Sequence, residues 1–247
     1  MLESAEDLAV ILVEPQNPGN IGMVCRAMAN FGVSDLRLVN PCDYLHPEAR
    51  KFAVGAHPLL GSARTFPNLA SAIADLRLSV ATTRRGGRLR GELLDLAQVP
   101  TLRATLPTGG RMGLVFGRED AGLTSDEVAL CSHAATVETC AEVGSLNLAQ
   151  AVLLFVHEIA RRPMTHGEDV RERSPQGELE ALFGQMEKVL TRIAFLNPKR
   201  PEAVMNSLRR IHQRAALDAR ELAMLRGIWS QIDWSCRDWR GRKRGDD

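Results

Sequence analysis

The chain has 247 residues, 45% hydrophobic and 25% charged, which is the composition of a folded globular protein and excludes a disordered one. No run approaches the roughly 18 apolar residues of a membrane-crossing helix, so no membrane partner is expected. The net charge of +1 hides an asymmetry: residues 188–247 hold 14 Lys and Arg against 7 Asp and Glu, and residues 1–187 hold 17 against 23. A basic C-terminal quarter on an acidic body suits a polyanion such as RNA or DNA, or else marks a solvated helical face.

In chain order, the acidic start Met1-Leu2-Glu3-Ser4 has no charged-then-apolar leader. Residues 8–13 are continuously apolar, end at Glu14-Pro15 and predict a buried strand. The loop Pro15-Gln16-Asn17-Pro18-Gly19-Asn20 is dense in turn formers. A helix is expected over 21–31, capped by Asn20 and stopped by Gly32. Further strands are expected at 36–39, 78–82 and 112–116, and helices at 47–54 and 67–76, each with proline near its first turn. Thr124-Ser125-Asp126-Glu127 has capping-box spacing and opens a short helix, and 134–137 reads as a short strand. Gly144-Ser145-Leu146-Asn147 then leads into a helix with Leu148, Ala151, Val152, Phe155 and Ile159 at helical spacing, capped by Ser145 or Asn147.

Strands alternating with helices predict an α/β fold with a mostly parallel sheet over residues 1–162. Ligands on such sheets gather beyond the carboxyl ends of the strands. Three polar, glycine-bearing loops, starting at Glu14, Gly117 and Thr139, follow strands at those ends. Residues 163–177, with Pro163, Gly167, Pro175 and several charges, read as a linker. Residues 178–235 carry three amphipathic helices as a small appendage. Residues 236–247 form a basic tail.

Several chemistries are absent. There is no G-x-G-x-x-G or Walker A loop and no G-x-S-x-G elbow. The six histidines do not cluster, and the five scattered cysteines contain no C-x-x-C pair. No metal is therefore expected, and the thiols suit a reducing cytoplasm.

Three stretches carry a specific resemblance. Asn17-Pro-Gly-Asn-Ile-Gly22 with Arg26, Gly117-Arg-Glu-Asp-Ala-Gly-Leu123 and Ser145-Leu-Asn-Leu148 resemble, in order and spacing, the three motifs of the SpoU group of SPOUT RNA methyltransferases. Phe195-Leu-Asn-Pro198, 204–210 and Leu225-Arg-Gly227 are similar to the helical appendage of bacterial tRNA 2′-O-ribose methyltransferases in that group. The resemblance implies a C-terminal trefoil knot in the catalytic domain, S-adenosylmethionine as cofactor, a homodimer, and tRNA as partner. It further implies methylation of a cytidine or uridine ribose at position 32, where the anticodon loop opens.

Matched residue by residue, the resemblance places Arg26, Asn20, Glu119, Ser145 and Asn147 in the catalytic site. Cofactor-lining positions fall on Thr82, Thr83, Arg84, Gly117, Val137, Gly144, Ser145 and Leu146. Arg26 is expected to anchor a phosphate, with Asn20 and Glu119 orienting it. The glycine-hinged basic loop with Arg84, Arg85, Arg88 and Arg90, and Arg209 and Arg210 of the appendage, are expected to contact RNA phosphates. A ribosomal RNA methyltransferase of the same group and a non-catalytic RNA-binding module remain the alternatives.

Overall fold

β1 (Leu8–Val13) is buried at every position, because both faces of its sheet are covered. The computed structural model describes residues 6–84, 93–140, 144–162, 172–197 and 199–238. After β1 come α1 (Pro18–Asn30), β2 (Asp35–Val39), α2 (Pro47–Phe52), α3 (His57–Gly61), β3 (Arg64–Phe66), α4 (Leu69–Ile73), β4 (Leu78–Thr82) and β5 (Leu93–Asp95). A 3-10 turn (Leu96–Gln98) leads into α5 (Val99–Arg103), then β6 (Met112–Phe116), α6 (Ser125–Leu130), β7 (His133–Thr136) and α7 (Leu148–Ala160). The appendage holds α8 (Gln176–Arg192), α9 (Pro201–Ala215) and α10 (Ala219–Ser235).

Among the described residues the sheet has seven strands in the order β3-β2-β1-β6-β4-β7-β5, with every pair parallel. The connection after β1 runs to β2 on one side, and the connection after β6 runs past β4 to β7 on the other, so β1 and β6 flank a topological switch point. Leu8, Val10 and Leu12 pack with Ile21, Val24, Met28, Val152, Phe155 and Ile159 on the face covered by α1 and α7. Ala9, Ile11 and Val13 pack with Leu69, Ile73, Leu76 and Val128 on the other. A third cluster, around Leu182, Phe183, Met186, Met205 and Leu222, holds the appendage helices together.

Two short strands, α3 and α5 have no counterpart among the elements expected from sequence; β3 and β5 have three residues each, too few to show alternation. The cap of α1 is Asn17 and not Asn20, since the Asn17 side chain accepts from the Asn20 N–H and Pro18 fills the first helical position. Asn147 and not Ser145 caps α7, its side chain accepting from the Ala149 N–H.

The expected linker also ends earlier than its composition suggests. Residues 163–171 lie outside the described residues, whereas Ser174 and Gln176 are buried. Gln176 exchanges hydrogen bonds of 2.8 and 3.0 Å with Ser79 of β4, and the Ser174 N–H donates to the Leu217 carbonyl at 2.8 Å. Satisfying those buried polar groups is what ties the appendage to the sheet.

Candidate active site at the carboxyl ends of the strands

A single chain of side-chain hydrogen bonds joins the three motif loops. The α7 N-terminus leaves N–H groups without helical partners, and the Asn147 Oδ1 takes that of Ala149 at 2.8 Å. Its Nδ2 is thereby turned outward and donates to Asn20 Oδ1 at 3.0 Å. Asn20, nearly buried on the first turn of α1, donates in turn to Glu119 Oε1 at 3.0 Å. Glu119 also accepts the backbone N–H groups of Gln16 at 2.9 Å and Asn17 at 3.1 Å. The network leaves each amide one sensible orientation.

Glu119 owes its position to a tight turn. Arg118 and Gly122 exchange backbone hydrogen bonds of 3.3 and 2.9 Å, and a Cβ on Gly117 would lie 2.1 Å from the Gly122 carbonyl carbon. Only glycine fits there. The Arg118 guanidinium reaches Glu14 at 2.8 Å and both Glu127 oxygens at 3.0 Å. Its hydrogen bonds to the Glu127 and Glu14 carboxylates push the arginine further toward its charged form. Burial alone would raise the Glu127 carboxyl, but hydrogen bonds from Arg118 and Thr124 hold it below the usual range.

Beyond β4, β6 and β7 opens a cleft of about 220 Å³. Its lining includes all eight expected cofactor positions: Thr82, Thr83, Arg84, Gly117, Val137, Gly144, Ser145 and Leu146. The Thr82 hydroxyl already donates to the Val115 carbonyl at 2.9 Å, so that residue offers shape rather than a donor. Gly144 has a φ of +61°, and the end of the Arg84 side chain lies where its Cβ would be. Ser145 is exposed at the rim.

Arg26 departs from the expected arrangement. It is exposed on α1 and, among the described residues, forms no ion pair, while Asn20 and Glu119 are bonded to each other and not to it. Arg209 is also otherwise engaged: it pairs with Glu180 at 3.0 Å and lies over the Phe183 ring at 5.3 Å, so it serves the appendage interior. Arg210 lies beside the Ser207 hydroxyl at 3.3 Å, in the seam between α9 and β7. Arg85, Arg88 and Arg90 lie outside the described residues. The appendage cations that are exposed and form no ion pair among the described residues are Lys199, Arg200, Arg214, Arg220 and Arg226. Sequence reasoning missed these five, along with Glu14, Gln16 and Arg118. Charge alone does not distinguish a free arginine from one facing a carboxylate far away in sequence.

Comparison with known proteins bears on the whole chain. Residues 7–157 match the SpoU rRNA Methylase family, and residues 177–244 match the C-terminal domain of tRNA methyltransferase TrmJ. The tRNA (cytidine/uridine-2′-O-)-methyltransferase TrmJ of Cronobacter sakazakii is 34% identical over 93% of this chain and 97% of its own length. The tRNA (cytidine/uridine/adenosine-2′-O-)-methyltransferase TrmJ of Pseudomonas aeruginosa is 35% identical over 97% of this chain and 98% of its own. The crystal structure of TrmJ from Z. mobilis ZM4 superposes with a TM-score of 0.83 at 38% identity, covering 91% of this chain and 98% of that one. The motif loops that converge on one cleft, and the helices docked beneath them, are those of a SpoU-family methylase, and the chain belongs to that family, with a TrmJ C-terminal domain.

Proposed function

We propose that the chain is an S-adenosylmethionine-dependent tRNA 2′-O-ribose methyltransferase, acting as a homodimer on the cytidine or uridine at position 32. The observation that carries this reading is the Asn147–Asn20–Glu119 relay, which brings one residue from each motif to the rim of a single cleft. The names of the TrmJ relatives supply the acceptor class. The cleft suits the cofactor: Gly117 and Gly144 add no side chain of their own to its lining, and Leu123, Val137 and Leu148 provide apolar walls for a nucleoside.

When bound, S-adenosylmethionine supplies a methyl group activated on a sulfonium. The protein must then hold a ribose hydroxyl in line and stabilise charge developing on its oxygen. The relay leaves Asn20 no rotational freedom, and this makes the mouth of α1 a fixed edge for the acceptor. Arg26 lies six residues along α1, about one and two-thirds turns away. Guanidinium groups keep their proton in proteins, so Arg26 anchors the acceptor phosphate and stabilises the alkoxide electrostatically, while water or a phosphate oxygen takes the proton. The exposed Leu146, Leu153 and Leu154, at the start and on the side of α7, support a two-fold contact.

The test is transfer of labelled methyl from S-adenosylmethionine to unmodified tRNA, with the modified ribose located by mapping. Label on ribosomal RNA but not on tRNA would replace the reading with its nearest alternative. No label on either would end it.

A further inference from the structure

The turn that delivers β1 into the site is strained. Glu14 has a φ of +47°, a left-handed conformation that side-chain-bearing residues adopt at a cost and that concentrates at functional sites. The residue keeps its place in the sheet, since its N–H donates to the Val39 carbonyl at 2.8 Å. Past this turn the next two backbone donors, Gln16 and Asn17, both point at Glu119.

What holds the turn is the side chain of Glu14 itself. It accepts from Arg118 Nε at 2.8 Å, and the two terminal nitrogens of the same guanidinium each reach Glu127 at 3.0 Å. Glu127 is in turn fixed as the capping-box residue of α6, accepting from the Thr124 N–H at 2.7 Å. Arg118 is 16% exposed and directly precedes Glu119 in the chain. One planar group thus joins the end of β1 to the start of α6, on either side of the carboxylate that the relay depends on. Lysine, a point charge without the fork, cannot make both contacts in this geometry.

We propose that Glu14, Arg118 and Glu127 form a strap that holds the left-handed turn and so places Glu119 against the 16–20 loop, making Glu14 and Arg118 positioning residues for methyl transfer. The catalytic half of this inference rests on the methyl-transfer reading above. An ordinary stabilising ion pair would behave differently. Partly exposed pairs contribute little stability, and replacing Glu14 by glycine removes the backbone constraint at the same time. A merely structural pair therefore predicts unchanged turnover in Glu14→Gly.

The experiment uses the full chain and two variants, Glu14→Gly and Arg118→Lys. Each is measured for thermal midpoint, S-adenosylmethionine affinity by calorimetry, kcat and KM for tRNA, and hydrogen exchange at the Gln16 and Asn17 amides. In Glu14→Gly the thermal midpoint is expected to hold or rise, with kcat at least tenfold lower and donor affinity within twofold of the parent. In Arg118→Lys the charge is kept, yet kcat falls comparably. In both, exchange at Gln16 and Asn17 should be at least tenfold faster. Unchanged exchange in either folded variant would overturn the strap, whatever its activity. Faster exchange with kcat within twofold of the parent would overturn the positioning role. If the parent transfers no methyl, only the functional reading fails, and the exchange measurement still decides the strap.

Discussion

The two ends of the sheet use polar residues in opposite ways. At the amino ends of the strands, charges are numerous and saturated. Arg37 is fully buried and bonds Asp35, Asp75 and the Ala72 carbonyl, and Asp35 also takes Arg64 and Arg111. Asp7 and Arg103 form another such pair nearby. At the carboxyl ends the relay through Glu119 is of neutral amides and backbone N–H groups, braced by the Arg118 pairs with Glu14 and Glu127, and Arg26 stands exposed on α1 with no ion pair among the described residues. The first arrangement closes the fold. The second leaves a cation and a cleft for something else to complete. Charge by itself thus says little about role, whereas the presence or absence of partners says a good deal.

The strongest way to break the comparison lies at the cleft. A Cβ at Gly117 collides with the Gly122–Leu123 backbone, while one at Gly144 meets only the flexible end of Arg84. Gly117→Val should therefore abolish S-adenosylmethionine binding by calorimetry, and Gly144→Val, opposed chiefly by its left-handed φ, should weaken it less. Equal affinity of Gly117→Val and parent would remove the 117–122 turn from the site. Next in size is Arg26→Ala, expected to lower turnover on the order of 100-fold, as loss of a single electrostatic donor does. Arg26→Lys should recover little, and because Arg26 forms no ion pair among the described residues, thermal stability should stay as it was.

The opposite end should respond in stability alone. Arg37→Ala removes a fully buried guanidinium that bonds Asp35, Asp75 and the Ala72 carbonyl, and should cost about 2 kcal/mol in denaturant unfolding, the range for breaking a buried network, with donor affinity unchanged in the folded variant. The pH dependence follows from the same groups. Burial pushes the His133 imidazole down to about 4 from 6.5, so the unfolded chain binds the extra proton and stability falls as pH drops through that window. Burial would raise Asp35 and Asp75, but hydrogen bonds from Arg37 hold both below the ordinary 3.8. Their contribution is present above 3.8 and is lost only at lower pH. Acid unfolding monitored by circular dichroism should shift to higher pH in Asp75→Asn. An unshifted curve would show that Asp75 contributes nothing to the acid limb. The smallest effect is expected on the appendage: reversing Arg214, Arg220 and Arg226 to glutamate should weaken tRNA binding and flatten its salt dependence, by about one unit of slope for each phosphate no longer neutralised. Arg209→Glu should instead lower stability, since it opens a pair with Glu180.

Much of the fold is legible in the sequence, for identifiable reasons. Long apolar runs such as 8–13 and the repeat from Leu148 to Ile159 announce their elements, because burial on both faces or on one stripe leaves a periodic trace. The loops at 17–22, 117–123 and 145–148 can be grouped by order and spacing. Three things leave no such trace. The cap of α1 falls on Asn17 because Pro18 starts the helix, a choice that Asn17 and Asn20 present almost equally in sequence. The pinning of residues 172–177 depends on Ser79, 97 positions from Gln176. The partners of Arg118 and Arg209 are set by tertiary packing, so nothing near them in sequence shows that their charges are already paired.

The central claim is that Asn20, Glu119 and Asn147 act as one unit while Arg26 acts separately, and a set of double-mutant cycles on kcat/KM for tRNA tests it most directly. Groups that share one network are non-additive, and independent ones add. Asn20→Ala with Asn147→Ala should therefore lose no more than the worse single variant, within about threefold, and Glu119→Ala should join the same set. Arg26→Ala combined with Asn147→Ala should approach the product of the two single losses. Additive losses between Asn20 and Asn147, with the 3.0 Å bond between them intact in the parent, would contradict the account.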